Sequence, residues 1–169
     1  ATLTLVLWLF LMALGESPIA AAILAISTIS TSGITGEAGY VGAVSGFWAE
    51  AAIFAFLLFA LSRLTFSSDT LATARARLTQ DPEFRLGLVL VVAVPLVLFL
   101  RHWAGAYEVA RDQDVLQALQ AHWGATFTVL SFLTTTGFVS SSWEAAQLWS
   151  GLGTPGLILM GLAIIGGGV

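Results

Sequence analysis

Apolar residues in this chain come in long blocks separated by short polar breaks. The first block, Leu3 to Leu14, carries no charge. Gly15-Glu16-Ser17-Pro18 interrupts it. Ser17 followed by Pro18 predicts a helix start, because a serine hydroxyl caps the free amides of a first turn and proline is preorganised for the first helical position. A helix from Pro18 to about Thr31 follows. It is too short to cross a bilayer, which takes about 20 residues, and too apolar for a surface loop. A re-entrant helix fits, and at membrane depth the non-helical chain after it must be buried in protein or line water. Gly33, Gly36 and Gly39 carry that loop back out. Ala43 to Leu61 then has Glu50 as its single charge, and predicts a spanning helix.

Residues 62–84 are polar and hold Arg63, Arg75 and Arg77, with Arg85 just after, interspersed with Asp69, Asp81 and Glu83. Asp69 and Asp81-Pro82 are further helix-start signals. Four arginines in and beside a short loop assign it to the cytoplasmic side. Leu86 to Leu100 predicts the next spanning helix, extended by Phe84-Arg85 and His102-Trp103 and kinked at Pro95. Arg101 to Asp114 is an outer polar segment, and Asp114 can cap a helix from Val115. Gly124 to Thr134 predicts a second re-entrant helix, Thr135 to Val139 an extended segment, and Ser140 to Ser142 a return. Thr154-Pro155 repeats the cap-plus-proline start. Gly156 to Ile165 enters a last helix, which Gly166-Gly167-Gly168 breaks. The first and last blocks both stop short of a full crossing, which predicts a fragment truncated at both ends.

The blocks repeat. Ile26 to Thr35 reads I-S-T-I-S-T-S-G-I-T, and Leu130 to Val139 reads L-S-F-L-T-T-T-G-F-V, an offset of 104 residues. Ser27 aligns with Ser131, Thr31 with Thr135 and Gly33 with Gly137, while Ser30 and Ser32 meet Thr134 and Thr136. Each copy follows a short apolar helix and precedes another apolar block. Such self-similarity sets an architecture, and in membrane proteins it points to a site built between repeats. A run of small hydroxyl residues, glycine and a large apolar residue, held extended, lines up successive carbonyls, and rings of such carbonyls replace the water shell of a potassium ion. The plainer alternative is that these Ser and Thr bond back to their own turn or glue neighbouring helices. An extended conformation of residues 31–35 and 135–139 separates the two.

T-T-T-G-F after a short helix, with S-T-I-S-T-S-G-I-T one repeat earlier, resembles the Trk/Ktr/HKT superfamily of potassium uptake proteins, more narrowly the bacterial Trk-type membrane subunits (TrkH/KtrB-like). The resemblance covers nearly the whole chain, as the second and third of that family's four pore repeats. S-G-I stands here where G-G-F is common. It implies an all-α membrane protein of repeated helix–re-entrant pore helix–filter loop–helix units. Residues 1–62 form one repeat, 63–83 a cytoplasmic linker and 84–169 the next, with the two repeats related by rotation about the membrane normal. It implies potassium lining by the backbone carbonyls of Thr31, Ser32, Gly33 and Ile34 and of Thr135, Thr136, Gly137 and Phe138. Gly166, Gly167 and Gly168 resemble the start of a gating loop. The implied partners are potassium ion, the lipid bilayer of the cell (inner) membrane, a second copy in a homodimer of the full-length parent, and a cytoplasmic nucleotide-binding regulatory subunit docked near the Arg63 to Arg85 loop. Two of four filter loops cannot close a ring.

Composition narrows the alternatives. The chain is 57% hydrophobic and 9% charged, with mean hydropathy +0.92, which is a membrane composition. It has no Cys, so disulfide and thiolate-metal chemistry are excluded. Its six cations are all Arg, and a net charge of −4 argues against a nucleic-acid partner. No lysine follows a glycine-rich phosphate loop, and no Lys or deep His stands as base for an intramembrane serine nucleophile. Neither a catalytic residue nor a cofactor is expected. His102 and His122, each in an outer segment, read as interfacial rather than as a metal pair. The outer segments hold Glu16, Glu37, Glu108, Asp112, Asp114 and Glu144 against Arg101 and Arg111, a field that concentrates cations at a mouth. The negative C-terminal ends of both short helices point toward the ion path and act in the same sense. Glu50, a carboxylate in an apolar block, is a functional candidate by default. Its alternatives are reaching the outer interface or bonding the loop that supports the filter.

Overall fold

The computed structural model describes residues 2–36, 41, 45–61, 82–106 and 115–150, together with 158, 161, 162 and 165. The helices of this set are α1 (Thr2–Ala13), α2 (Pro18–Ser30), α3 (Gly46–Ala60), α4 (Pro82–Ala106), α5 (Val115–Leu133) and α6 (Trp143–Ser150). Among the described residues there is no strand, so the fold is all-α; an isolated parallel bridge joins Val41 to Ser140.

Local chemistry explains the helix starts. The Ser17 hydroxyl accepts from the Ala20 amide at 3.3 Å, and Pro18 opens α2. Pro82 likewise opens α4. Apolar side chains at helical spacing then turn one stripe of each helix inward: Leu7 and Leu11 of α1, Ala21, Leu24 and Ala25 of α2, and Ala49, Ile53 and Leu57 of α3. α1 packs on α2, and both pack on α3. α3 also packs on α5, which sits against α4 and α6. Phe127, Val129 and Leu130 of α5 join the same core, so one buried cluster spans both halves of the sequence.

The outward faces are apolar too. Leu5, Val6, Leu9 and Phe10 on α1, and Leu88, Val89, Val92, Leu96 and Val97 on α4, are exposed. Among the described residues, no helix is both long and apolar enough to cross a membrane. α3 is 15 residues, shorter than the expected span from Ala43 to Leu61. α4 is 25 residues, but its uncharged run extends only from Leu86 to Leu100. Pro95 lies inside α4 and is buried.

Two elements differ from the sequence-based expectation. The segment from Val115 to Leu133 is one continuous 19-residue helix that runs straight through Gly124, where the block pattern predicts the start of a separate helix. Gly124 serves close packing: a Cβ there would lie 2.4 Å from the Ser142 carbonyl oxygen. The second difference is α6, which the block pattern does not mark. It is 8 residues long and is anchored by Trp143 and Ala146, both buried. The linker 63–81, Asp114 and the triplet Gly166 to Gly168 lie outside the described residues.

Candidate functional site: two matched loops and a buried carboxylate

The repeated stretches end their helices with the same pair of capping bonds. After α2, the Ser32 amide donates to the Ser27 carbonyl at 3.0 Å and the Thr31 amide to Thr28 at 3.3 Å. After α5, the Thr136 amide donates to Ser131 at 2.9 Å and the Thr135 amide to Phe132 at 3.0 Å. This pair of six-to-one and five-to-two bonds is a Schellman cap, whose turning residue sits in the left-handed region and is usually glycine. Here it is threonine both times, Thr31 at φ 49° and Thr135 at φ 59°. A β-branched residue in that region costs about 1–2 kcal/mol, and strain of this kind is concentrated at functional sites. Two residues on, Gly33 at φ +69° and Gly137 at φ +80° again take positive φ. Residues 31–35 and 135–139 are therefore not continuations of their helices, but neither are they extended throughout as the sequence reading expects, because two left-handed residues bend each of them.

The loops lie against each other. A Cβ on Gly33 would stand 2.0 Å from the Thr136 carbonyl oxygen, so only glycine admits this approach. Farther along, the Val41 amide donates to the Val139 carbonyl at 3.0 Å, within the parallel bridge. Among the described residues, no atom lies within 4 Å of a would-be Cβ on Gly137, which faces open space there. Between the two sets predicted to line an ion path, Thr31 to Ile34 and Thr135 to Phe138, the described close approach is that of Gly33 to Thr136. Their side chains differ. Phe138 is 2% exposed and belongs to the core, while Ile34, its repeat equivalent, is 62% exposed.

Hydroxyls brace both turns. The Ser32 hydroxyl donates to Ser27 Oγ at 3.1 Å, and Thr134 and Thr136 pair through their Oγ1 atoms at 3.0 Å. Others bond back along their helices: Thr28 Oγ1 to the Leu24 carbonyl at 2.7 Å, Ser30 Oγ to Ile26 at 2.8 Å, and Thr134 Oγ1 to Leu130 at 3.0 Å. Ser131 Oγ is buried beneath the second turn and has no hydrogen-bond partner among the described residues.

Glu50 on α3 is 1% exposed and bonds the loop that follows the second turn. Its Oε1 accepts from the Ser141 amide at 2.7 Å and the Ser141 hydroxyl at 2.8 Å. Its Oε2 accepts from the Ser140 hydroxyl at 2.8 Å and from Trp123 Nε1 of α5 at 2.8 Å. All four donors are neutral. Sequence reasoning makes Ser140 and Ser141 only a return loop and gives Trp123 no role. The signal in the sequence is the demand itself: a lone carboxylate in an apolar block needs donors, and Ser140-Ser141-Ser142 is one of the hydroxyl runs that can supply them. Glu16, on the connection between α1 and α2, accepts in turn from the Ser45 hydroxyl at the start of α3.

His122 is half-buried in an edge-to-face contact with Phe99, and its buried Nδ1 has no hydrogen-bond partner among the described residues. Among the described residues, no group of three or more His, Cys, Asp or Glu is placed to hold a metal ion. No protein-family model matches the chain, and no curated protein and no solved structure is similar to it.

Proposed function

We propose that this chain carries part of a potassium-selective path across a cell (inner) membrane, as two pore repeats of a Trk-type potassium transporter. The observation that carries the reading is the pair of identical turns. Segments 104 residues apart in sequence adopt the same strained Thr–x–Gly backbone and meet where Gly33 approaches the Thr136 carbonyl. Packing alone does not call for two left-handed threonines where glycine is cheaper. In this reading, the carbonyls of Thr31, Ser32, Gly33 and Ile34 and of Thr135, Thr136, Gly137 and Phe138 line the ion path. Two more loops of the full-length parent complete the ring, Gly166 to Gly168 begin a constriction beneath it, and a cytoplasmic nucleotide-binding subunit sets that constriction. The parent works as a homodimer.

The membrane reading draws support from the apolar outward faces of α1 and α4, since exposed apolar area of this extent marks a lipid or protein contact. The uncharged part of α4 spans about 22 Å at 1.5 Å per residue, and a stretch shorter than the hydrocarbon core is accommodated by local thinning and by snorkelling of flanking arginines. Arg85, exposed at one end of that run, fits this role.

A non-conducting helical membrane scaffold is the second reading. It is favoured by the hydroxyls of Thr28, Ser30 and Thr134, which bond their own helices as packing residues do. Vesicles containing the full-length parent decide between them. The transport reading expects potassium-driven rubidium uptake that sodium competes poorly against. Vesicles no more permeable than protein-free ones would leave the scaffold reading.

A further inference from the structure

We infer that Glu50 is a positioning residue that holds the second loop, from Thr135 to Ser142, in its ion-binding shape and thereby sets ion preference; this rests on the reading of that loop as a filter. The geometry is a four-point clamp between the two halves of the chain. Glu50 belongs to the first repeat, while among the described residues the groups it binds belong to the second. Ser140 is the third residue after Gly137, and its hydroxyl both donates to Glu50 and accepts from the Ser142 amide at 3.0 Å. The same residue is pinned from behind, its amide directed at Thr128 Oγ1 at 3.4 Å. Hydrogen bonds to a charged acceptor are roughly twice as strong as neutral ones, so the carboxylate is the strongest single tie on this end of the loop.

The donor set also explains why the residue is a carboxylate. Each oxygen receives one donor that cannot reverse its role, the Ser141 amide on Oε1 and the Trp123 indole N–H on Oε2. An amide side chain has one oxygen and one NH₂ group. In either orientation, Gln at position 50 would set its own N–H against one of those fixed donors. The two serine hydroxyls can rotate, but the other two groups cannot. Only a group that accepts at both ends satisfies the site.

The clamp is one-sided. At the 104-residue offset, Gly36 stands where the second copy has Ser140, and Thr154 stands where the first has Glu50. The first loop therefore lacks the serine hydroxyl that Glu50 binds on the second. It meets the second loop where Gly33 approaches the Thr136 carbonyl. The Glu50 bonds hold the second loop beyond Gly137, where the described residues put no atom within 4 Å of a would-be Cβ.

The test uses the full-length parent in vesicles, with rubidium uptake measured against sodium competition and normalised to folded protein. Glu50→Gln is expected to lower the rubidium-over-sodium preference by about tenfold or more, the equivalent of one to two lost charged hydrogen bonds. Trp123→Phe removes a single donor and is expected to move the preference in the same direction by a smaller factor. Amide exchange at Ser141 should speed up in Glu50→Gln. A purely structural role would reduce the yield of folded protein and leave the preference intact. If Glu50→Gln does not fold, Ser140→Ala, Ser141→Ala and Trp123→Phe take its place, each expected to shift preference in the same direction. A selective parent whose preference stays within about twofold across all of these variants overturns the inference. A parent that carries no rubidium overturns the filter reading instead, and faster Ser141 exchange in Glu50→Gln would then leave the clamp standing as a structural tie alone.

Discussion

Gly33 and Gly137 occupy equivalent places in the two loops and both hold positive φ, yet their replacements are expected to behave differently. Alanine at Gly137 meets nothing within 4 Å, so its cost is the conformational one alone. A left-handed backbone on an L-residue costs about 1–2 kcal/mol. Alanine at Gly33 carries the same penalty and also drives its Cβ to 2.0 Å from the Thr136 carbonyl oxygen and 3.3 Å from the carbonyl carbon. Both atoms are backbone, so no rotamer change relieves the clash. The loops must separate by about 1 Å to restore a tolerable contact, and overpacking of this kind adds about 1–3 kcal/mol. The totals are about 1–2 kcal/mol for Gly137→Ala and about 2–5 kcal/mol for Gly33→Ala. In a chain of this length, 1 kcal/mol moves a melting midpoint by roughly 2–4 °C. Thermal unfolding in detergent micelles or nanodiscs should therefore show a drop of about 2–8 °C for Gly137→Ala and about 4–20 °C for Gly33→Ala. Equal losses, or a larger loss at Gly137, would refute the side-by-side contact of the loops.

Further outcomes follow from other contacts. Gly124→Ala should destabilise by about 1–3 kcal/mol, against the gain of about 1 kcal/mol that helix propensity alone gives an exposed site, because the Ser142 carbonyl occupies the space; denaturant midpoints with an unchanged slope check the sign. Thr135→Gly should stabilise by about 0.5–1 kcal/mol, since removing the left-handed strain outweighs the entropy added to the unfolded chain; a lower melting midpoint would show that the threonine is not strained. Phe127→Ala, at a fully buried position shared by both halves, should cost about 3–5 kcal/mol, read by the same unfolding assay. Replacing Gly166, Gly167 and Gly168 together by Ala in the parent should change flux without changing ion preference, and unchanged flux with an unchanged response to the regulatory subunit would remove the gate from the proposal.

What the sequence alone determined is local. The cap at Ser17-Pro18, the opening of α4 at Pro82 and the ends of α2 and α5 all depend on groups within a turn or two of each other. The 104-residue repeat carries that local code twice, so the two turns could be matched before their geometry was known. What the sequence left open lies between distant segments. Glu50 stands out as a charge in an apolar block, but its partners are 73, 90 and 91 residues away, and no periodicity encodes such a pairing. Gly33 and Gly137 read alike, as do Ile34 and Phe138. Only packing decides that Gly33 touches the other loop while Gly137 faces open space, and that Phe138 enters the core while Ile34 stays out. The joining of α5 through Gly124 has the same origin. Glycine by itself weakens a helix, and its place here follows from the Ser142 carbonyl, which belongs to the loop beyond the end of α5. Hydrogen bonds within a turn are written in neighbouring residues, whereas steric fit and the solvation of a buried charge belong to whichever segments the tertiary fold brings together.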